Sequence, residues 1–215
     1  MKTRSQKHFL TAFSLLAAFI LWTAVICRID VQPIGPQGSS VGLATLNGLV
    51  HRFTGVHMLL YTITDWLGLV PILFALGFAV LGLAQWIKRK SIRKVDWSLL
   101  ILGSFYGAVI AAYLFFETHV INYRPVLIEG VMEASYPSST TMLVLCVMAT
   151  AVMQLRSRIK SPLLRPTLSA VIIAFTAFMV IGRLLSGVHW VTDIIGALLL
   201  SAGLVRLYQA VSNLK

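Results

Sequence analysis

Residues 182–193, which read GRLLSGVHWVTD, place three ionisable side chains where two apolar runs of membrane-spanning length meet. Arg183, His189 and Asp193 interrupt a stretch that is otherwise mainly apolar. A charge at membrane depth is costly, so ionisable residues there mark a functional site by default. The alternative, which this stretch alone leaves open, is a buried ion pair that holds two helices together.

The spacing of His189 and Asp193 favours catalysis. Residues four apart lie on one face of a helix, so Asp193 can accept a hydrogen bond from one imidazole nitrogen of His189. The other nitrogen is then free to attack or to bind. We therefore predict that His189, Asp193 and Arg183 are the catalytic residues.

The composition is that of a membrane protein. The chain has 215 residues, of which 58% are hydrophobic and 12% charged, with a mean hydropathy of +0.85. A soluble domain has roughly 25% charged residues. We predict an all-α, polytopic membrane protein with a single domain over residues 1–215. The net charge of +11 is expected from the basic loops that orient such a protein, so no nucleic-acid partner is predicted.

Apolar runs predict six transmembrane helices, at 9–26, 66–87, 97–116, 138–155, 167–186 and 189–208. An amphipathic or re-entrant helix is expected at 49–61, and a polar outer loop at about 117–138. With alternating sides, fourteen Lys and Arg fall on the side of the N-terminus and four on the other. By the positive-inside rule, both termini are predicted to be cytoplasmic.

The same layout brings polar groups from three segments to the non-cytoplasmic face. Arg124 lies in the outer loop, two serines open the fourth span, and Arg183 ends the fifth. Guanidiniums bind phosphate oxygens through paired N–H groups, and a helix N-terminus offers unpaired N–H groups to an anion. The predicted phosphate-binding residues are Arg124, Ser138, Ser139, Thr140 and Arg183.

An imidazole beside a bound phosphate can form a phospho-enzyme, which water then hydrolyses. The arginines and the helix N–H groups are expected to stabilise the charge on the equatorial oxygens. No metal or other cofactor is predicted, because the outer face lacks a carboxylate cluster suited to a divalent ion.

These motifs carry a resemblance to a known family. The sequence resembles the type 2 phosphatidic acid phosphatase (PAP2) family, integral-membrane enzymes with three motifs: Lys, six residues, Arg-Pro; Pro-Ser-small-His; and Ser-Arg, five residues, His, three residues, Asp. The third motif runs here from Arg183 through His189 to Asp193, with Gly182 in place of the leading Ser. Arg124-Pro125 matches the end of the first motif, and Pro137-Ser138-Ser139 the start of the second.

The resemblance implies a role for each matching residue. His189 would be the nucleophile, Asp193 the residue that orients it, and Arg183 and Arg124 phosphate ligands. It also implies a single six-span domain whose site faces away from the cytoplasm.

Two positions depart from the family pattern. Glu117 stands where the first motif has Lys, and Thr140 stands where the second has His. The family's His is implied to protonate the leaving alkoxide, which Thr cannot do at neutral pH. Loss of a general acid typically lowers the rate about 10²–10⁴-fold, but a pyrophosphate leaving group suffers less than an alkoxide. His119, two residues after Glu117, is a candidate replacement acid.

The predicted function is a lipid phosphatase of the outer leaflet of a bacterial cytoplasmic membrane. Its substrate would be phosphatidate, phosphatidylglycerol phosphate or undecaprenyl pyrophosphate, hydrolysed through a phosphohistidine. The alternative is a relative that binds phospholipid head groups without turning them over, which Glu117 and Thr140 favour. A transporter is disfavoured, because the charges cluster at one face instead of the midplane. The sequence makes no prediction of oligomeric state.

Overall fold

The computed structural model describes residues 2–214, with side chains from residue 5 onward, and it is helical almost throughout. Two short 3-10 turns, Pro36–Gly38 and Ile92–Lys94, lie in connections. The described residues form eight α-helices: α1 Lys2–Arg28, α2 Ala44–Thr54, α3 Met58–Leu67, α4 Leu69–Arg89, α5 Trp97–Thr118, α6 Ser139–Arg158, α7 Leu164–Leu185 and α8 Val191–Ser212.

Within residues 2–214, six segments are long and apolar enough to cross a membrane, which confirms the predicted all-α, six-span fold. They are Ser5–Arg28, Met58–Arg89, Trp97–Thr118, Ser139–Arg158, Leu164–Leu185 and Val191–Ser212. An even number of spans would put both termini on one side of the membrane, and their cytoplasmic location stays a prediction. The side chains of Lys2, Arg4 and Lys215, which contribute to the predicted charge bias, lie outside the described side chains.

The second span differs most from the sequence prediction. It begins at Met58, eight residues before the predicted start, because α3 and α4 continue across Gly68. The Gly68 N–H donates to the carbonyls of Thr64 and Asp65, so helical hydrogen bonding persists through polar residues that lowered the hydropathy there. The helix expected at 49–61 is likewise two helices, because α2 ends at Thr54 and the chain turns at Gly55, where φ is +66°.

Helices α6 and α8 form the centre of the bundle. The apolar window of α6 is 56% buried and that of α8 is 44% buried, whereas the other four spans are buried by 17–28%. α6 packs against α4, α5, α7 and α8, and α1 packs along α8. Small residues permit these close approaches: a Cβ on Gly203 of α8 would lie 2.8 Å from Leu16 of α1. The most buried helices are therefore those that begin at the candidate site.

An ion-pair cluster closes the opposite end of the bundle. Asp96 accepts from Arg89 at 3.0 Å and lies 3.5 Å from Arg158. A hydrogen bond from Gln85 is the main cause that holds the pKa of Asp96 below its usual value. The basic connections that follow α4 and α6 thus meet at one end, as alternating spans require.

The loop from 119 to 138 folds as a short hairpin over the end of the bundle opposite the Asp96 ion-pair cluster, the site end. Isolated backbone bridges pair Tyr123 with Ala134 and Ile128 with Val131. Glu129 and Gly130 turn the chain with φ of 50° and 80°, the left-handed values that tight hairpin turns require. The two arms of this hairpin therefore run side by side towards the start of α8.

The turn between α2 and α3 packs against the chain just before His189. The His57 N–H donates to the Ser186 carbonyl at 2.9 Å, and His51 Nε2 lies 3.1 Å from the Gly187 carbonyl. Gly187 has φ +69°, and a Cβ there would lie 1.9 Å from the Gly55 carbonyl oxygen. Only glycine satisfies both the dihedral angle and the contact.

We expect Gly187→Ala to destabilise the protein. The left-handed φ alone costs about 1–3 kcal/mol for a residue with a side chain, and the backbone of Gly55 must also move. Thermal unfolding in detergent measures the effect, with Gly107→Ala as the control, since a Cβ on Gly107 meets nothing within 4 Å. Equal melting temperatures for the two variants would contradict this account.

Candidate active site

Arg183, His189 and Asp193 lie together in the interior of the site end of the bundle. Arg183 is on the last turn of α7 and has 0% exposure, and Asp193 is on the first turn of α8 with the same value. His189, in the connection between the helices, is 3% exposed. Arg183 Nη2 is 3.3 Å from His189 Nε2. Because a guanidinium only donates, Nε2 presents its lone pair to this contact.

The predicted hydrogen bond from His189 to Asp193 is not direct. His189 Nδ1 is 3.9 Å from Asp193 Oδ2, which is too long for a hydrogen bond. The Ser135 hydroxyl lies between the two groups, 3.0 Å from Nδ1 and 2.5 Å from Oδ2. Asp193 turns back to accept from the Trp190 N–H at 2.9 Å at the start of α8, which draws its carboxylate away from the ring.

The surroundings of His189 favour its neutral form. Burial is the main cause that lowers the pKa of His189 well below its ordinary value, and the positive charges of Arg183 and Arg124 lower it further. Both causes favour the uncharged imidazole. An uncharged ring with a lone pair on Nε2 is the form that can act as a nucleophile.

Two guanidiniums lie against the ring of Tyr61 on α3. The centroid of that ring is 5.8 Å from Arg124 Cζ and 5.0 Å from Arg183 Cζ, within the range of cation–π contacts. The ring thus holds two arginines from distant segments beside each other. Glu133 pairs with Arg124 at 3.1 Å, and Asp65 lies 3.6 Å from Arg183.

Both arginines keep buried donors without a hydrogen-bond partner in the described part of the chain. These atoms are Nε and Nη1 of Arg124, and Nε and Nη1 of Arg183. Buried polar groups are nearly always satisfied, so four such donors on two adjacent cations call for an anionic ligand. Phosphate oxygens suit them in charge and geometry.

The predicted phosphate ligands at the start of α6 differ from one another in their contacts. Ser138 precedes α6, donates its N–H to the Asp193 carbonyl at 3.2 Å, and donates its hydroxyl to Thr141 at 2.9 Å. Its side chain is therefore engaged within the protein. Ser139 and Thr140 line a groove between α5 and α6, and the Thr140 methyl lies 3.7 Å from the position of a Cβ on Gly68. Phosphate binding by these three residues stays a prediction.

Glu117 and His119 lie at the end of α5. Glu117 lines a small cavity with Ser135 and Ser139. The ring of His119 stacks on Phe115, 4.5 Å between centroids, and its Nδ1 is 3.0 Å from the Phe115 carbonyl oxygen. His119 thus packs on its own helix, and its role as a replacement acid stays a prediction.

Sequence reasoning missed the residues that contact the predicted ones. Ser135 lies between His189 and Asp193. Asn122 donates to Asp193 Oδ1 at 3.4 Å. The ring of Tyr61 contacts both arginines. Asp65 lies 3.6 Å from Arg183. It is the sole acidic residue of the span Met58–Arg89, and an acidic residue in a membrane span is itself a signal of function.

Comparison with known proteins agrees with the geometry. Residues 113–214 match the family model of the PAP2 superfamily, and all three motifs lie within that range. The structure is similar to the crystal structure of the first transmembrane PAP2 type phosphatidylglycerolphosphate phosphatase from Bacillus subtilis. The TM-score is 0.62 at 17% identity, covering 93% of this chain and 94% of that one. No curated protein matches the chain. The resemblance to the PAP2 family is thereby confirmed.

We expect Arg124→Gln and Arg183→Gln each to weaken binding of orthovanadate, a phosphate analogue. Hydrogen bonds to charged groups contribute about 1.5–3 kcal/mol, which corresponds to roughly a tenfold to hundredfold loss of affinity. Calorimetric titration of the purified protein with orthovanadate measures the dissociation constant. Arg52→Gln is the matched control, because Arg52 is an exposed arginine of α2. An equal loss of affinity in the control would contradict the assignment.

Proposed function

We propose that this protein is a membrane phosphatase that removes phosphate from a lipid monophosphate or pyrophosphate. The observation that carries the proposal is the group of four buried guanidinium donors that have no hydrogen-bond partner among the described residues, on two arginines beside the Nε2 atom of His189. The family match over residues 113–214 and the fold shared with a Bacillus subtilis phosphatidylglycerolphosphate phosphatase support it.

In the proposed mechanism His189 is the nucleophile. Its Nε2 lone pair attacks phosphorus, the bond from phosphorus to the leaving oxygen breaks, and a phosphohistidine forms. Water then attacks the phosphorus, which releases inorganic phosphate and regenerates the imidazole. Arg124 and Arg183 stabilise the negative charge on the equatorial oxygens during both steps. Asp193 stabilises the positive charge that develops on the ring. We propose that no metal or other cofactor takes part.

Thr140 bears on which lipid phosphate is the substrate. A phosphatidate or phosphatidylglycerol phosphate releases an alkoxide, which needs a proton as it leaves. An undecaprenyl pyrophosphate releases a phosphate monoester, which leaves more readily as an anion. Because Thr140 cannot donate a proton as a histidinium can, the pyrophosphate is the substrate least affected by this residue.

The lipid tail has an apolar site beside the second motif. A groove of about 210 Å³ between α5 and α6 is lined by Val109, Ile110, Tyr113, Thr140, Met142 and Leu143. A tail in this groove would remain in the bilayer while its phosphate reaches the arginines. We place the site on the non-cytoplasmic face of a multi-pass protein of a bacterial cell membrane, on the strength of the Lys and Arg distribution.

A second candidate is a protein that binds phospholipid head groups without hydrolysis. Glu117 and Thr140 favour it, since both replace residues of the catalytic motifs. A protein that only binds has no need of an oriented, neutral imidazole next to the bound phosphate. The buried His189 and Asp193 therefore favour the phosphatase.

We expect purified protein in liposomes to release inorganic phosphate from at least one of the three lipids, and to do so in excess EDTA. His189→Ala should abolish release, because the nucleophile is absent. Acid-labile phosphohistidine should be detected after quenching with a ³²P-labelled lipid. Lipid binding without phosphate release or phosphohistidine would favour the head-group binder instead.

We expect Thr140→His to restore a general acid. Hydrolysis of the two monophosphates should rise by up to about 10²–10⁴-fold, with a smaller rise for undecaprenyl pyrophosphate. Initial rates on the three lipids measure this difference. Thr118→His adds a histidine at the exposed end of α5 and serves as the control. Equal gains in both variants would show that position 140 has no special role.

A further inference from the structure

We infer that Ser135 is a positioning residue that links His189 to Asp193 and selects the imidazole tautomer needed for attack. The inference deepens the proposed function and relies on it for the catalytic consequence. It concerns a residue outside the three motifs, in the loop that precedes the second.

The first argument is distance. The Ser135 hydroxyl is 3.0 Å from His189 Nδ1 and 2.5 Å from Asp193 Oδ2, whereas those two atoms are 3.9 Å apart. All three side chains are at most 3% exposed. The hydroxyl therefore provides the hydrogen-bonded connection between the ring and the carboxylate.

The second argument is the direction of the hydrogen bonds. Asp193 also receives bonds from the Trp190 N–H and the Asn122 amide, so its oxygens act as acceptors in this network. The Ser135 hydroxyl must then donate its one hydrogen to Asp193 and accept from His189. His189 consequently carries its proton on Nδ1.

The opposite side of the ring requires the same tautomer. Arg183 Nη2 lies 3.3 Å from Nε2, and a guanidinium has donors only. Nε2 must accept, so the proton is again assigned to Nδ1. Two independent contacts thus agree, and the lone pair on Nε2 faces the arginine that would hold the phosphate.

The backbone keeps Ser135 in this position. Its N–H donates to the Asn122 carbonyl at 2.9 Å across the hairpin. The indole N–H of Trp190 donates to the Tyr123 carbonyl at 2.8 Å, and the hydroxyls of Tyr136 and Thr23 lie 2.7 Å apart. The bridge is therefore held from α1, from the hairpin and from the start of α8.

The competing explanation is purely structural. Ser135 would then only satisfy a buried carboxylate, and its loss would lower stability without changing the chemistry of the ring. The two explanations predict different values of kcat for the folded Ser135→Ala variant. They also predict different positions of the imidazole proton.

We expect Ser135→Ala to lower kcat about tenfold to hundredfold, the effect expected from losing one hydrogen bond to a charged group, with KM nearly unchanged. Ser135→Thr, which keeps the hydroxyl, should retain most of the rate. Ser201→Ala is the control, since Ser201 is a buried serine of α8 whose hydroxyl lies 3.5 Å from the Met142 carbonyl oxygen and contacts neither His189 nor Asp193. Rates are compared on the monodisperse, folded fraction of each variant.

The tautomer is measured without substrate, by ¹⁵N NMR of histidine-labelled protein in detergent. His189→Gln identifies the resonances. Wild-type protein should show the Nδ1–H tautomer of His189, and Ser135→Ala should show a mixture. A kcat within about twofold of wild type, or an unchanged nitrogen spectrum in Ser135→Ala, would overturn the inference. If wild-type protein releases no phosphate, the proposed function fails, while the spectrum still decides whether the bridge exists.

Discussion

Arg183 carries a positive charge at the site end of a membrane-spanning helix without any solvent exposure, and the side chains around it stabilise this buried charge. Tyr61 offers the face of its ring, Asp65 lies at ion-pair distance, and His189 accepts from one guanidinium nitrogen. Even so, Nε and Nη1 of Arg183 have no hydrogen-bond partner among the described residues. These donors define the chemical character of the site, because an anion would accept the hydrogen bonds that no described protein group accepts.

The architecture follows from the need to bring such groups together from distant parts of the chain. Helices α6 and α8 are the most buried spans, and their first turns lie at the site. The long second span supplies Tyr61 and Asp65 near one end and Arg89 for the opposite ion-pair cluster at the other. Close contact between Gly55 and Gly187 then sets the connection before His189. The packing of the helices thus determines which side chains meet at the site end of the bundle.

The six spans and the residues of the third motif were predictable from the sequence. The start of the second span and the role of Ser135 were not, for physical reasons. Continuous apolar runs predicted six spans, and the spacing of Arg183, His189 and Asp193 predicted which residues meet at the last two. The early start of the second span was missed because Thr and Asp residues lower hydropathy without interrupting helical hydrogen bonds. Ser135 was missed because a loop serine has no periodicity. The position of Ser135 depends on the hairpin turn at Glu129 and Gly130, and a hydropathy pattern does not predict such a turn.

That hairpin has a consequence for how the site can vary among related proteins. Arg124 lies on one arm and Ser135 on the other, and both arms are paired through their backbones. A residue inserted into either arm would shift the register, and so displace an anion-binding cation and a histidine partner at the same time. Insertions at the Glu129–Gly130 tip would leave both in place. Variation in length should therefore concentrate at the tip, and a transplanted loop would need to bring its two arms as a unit.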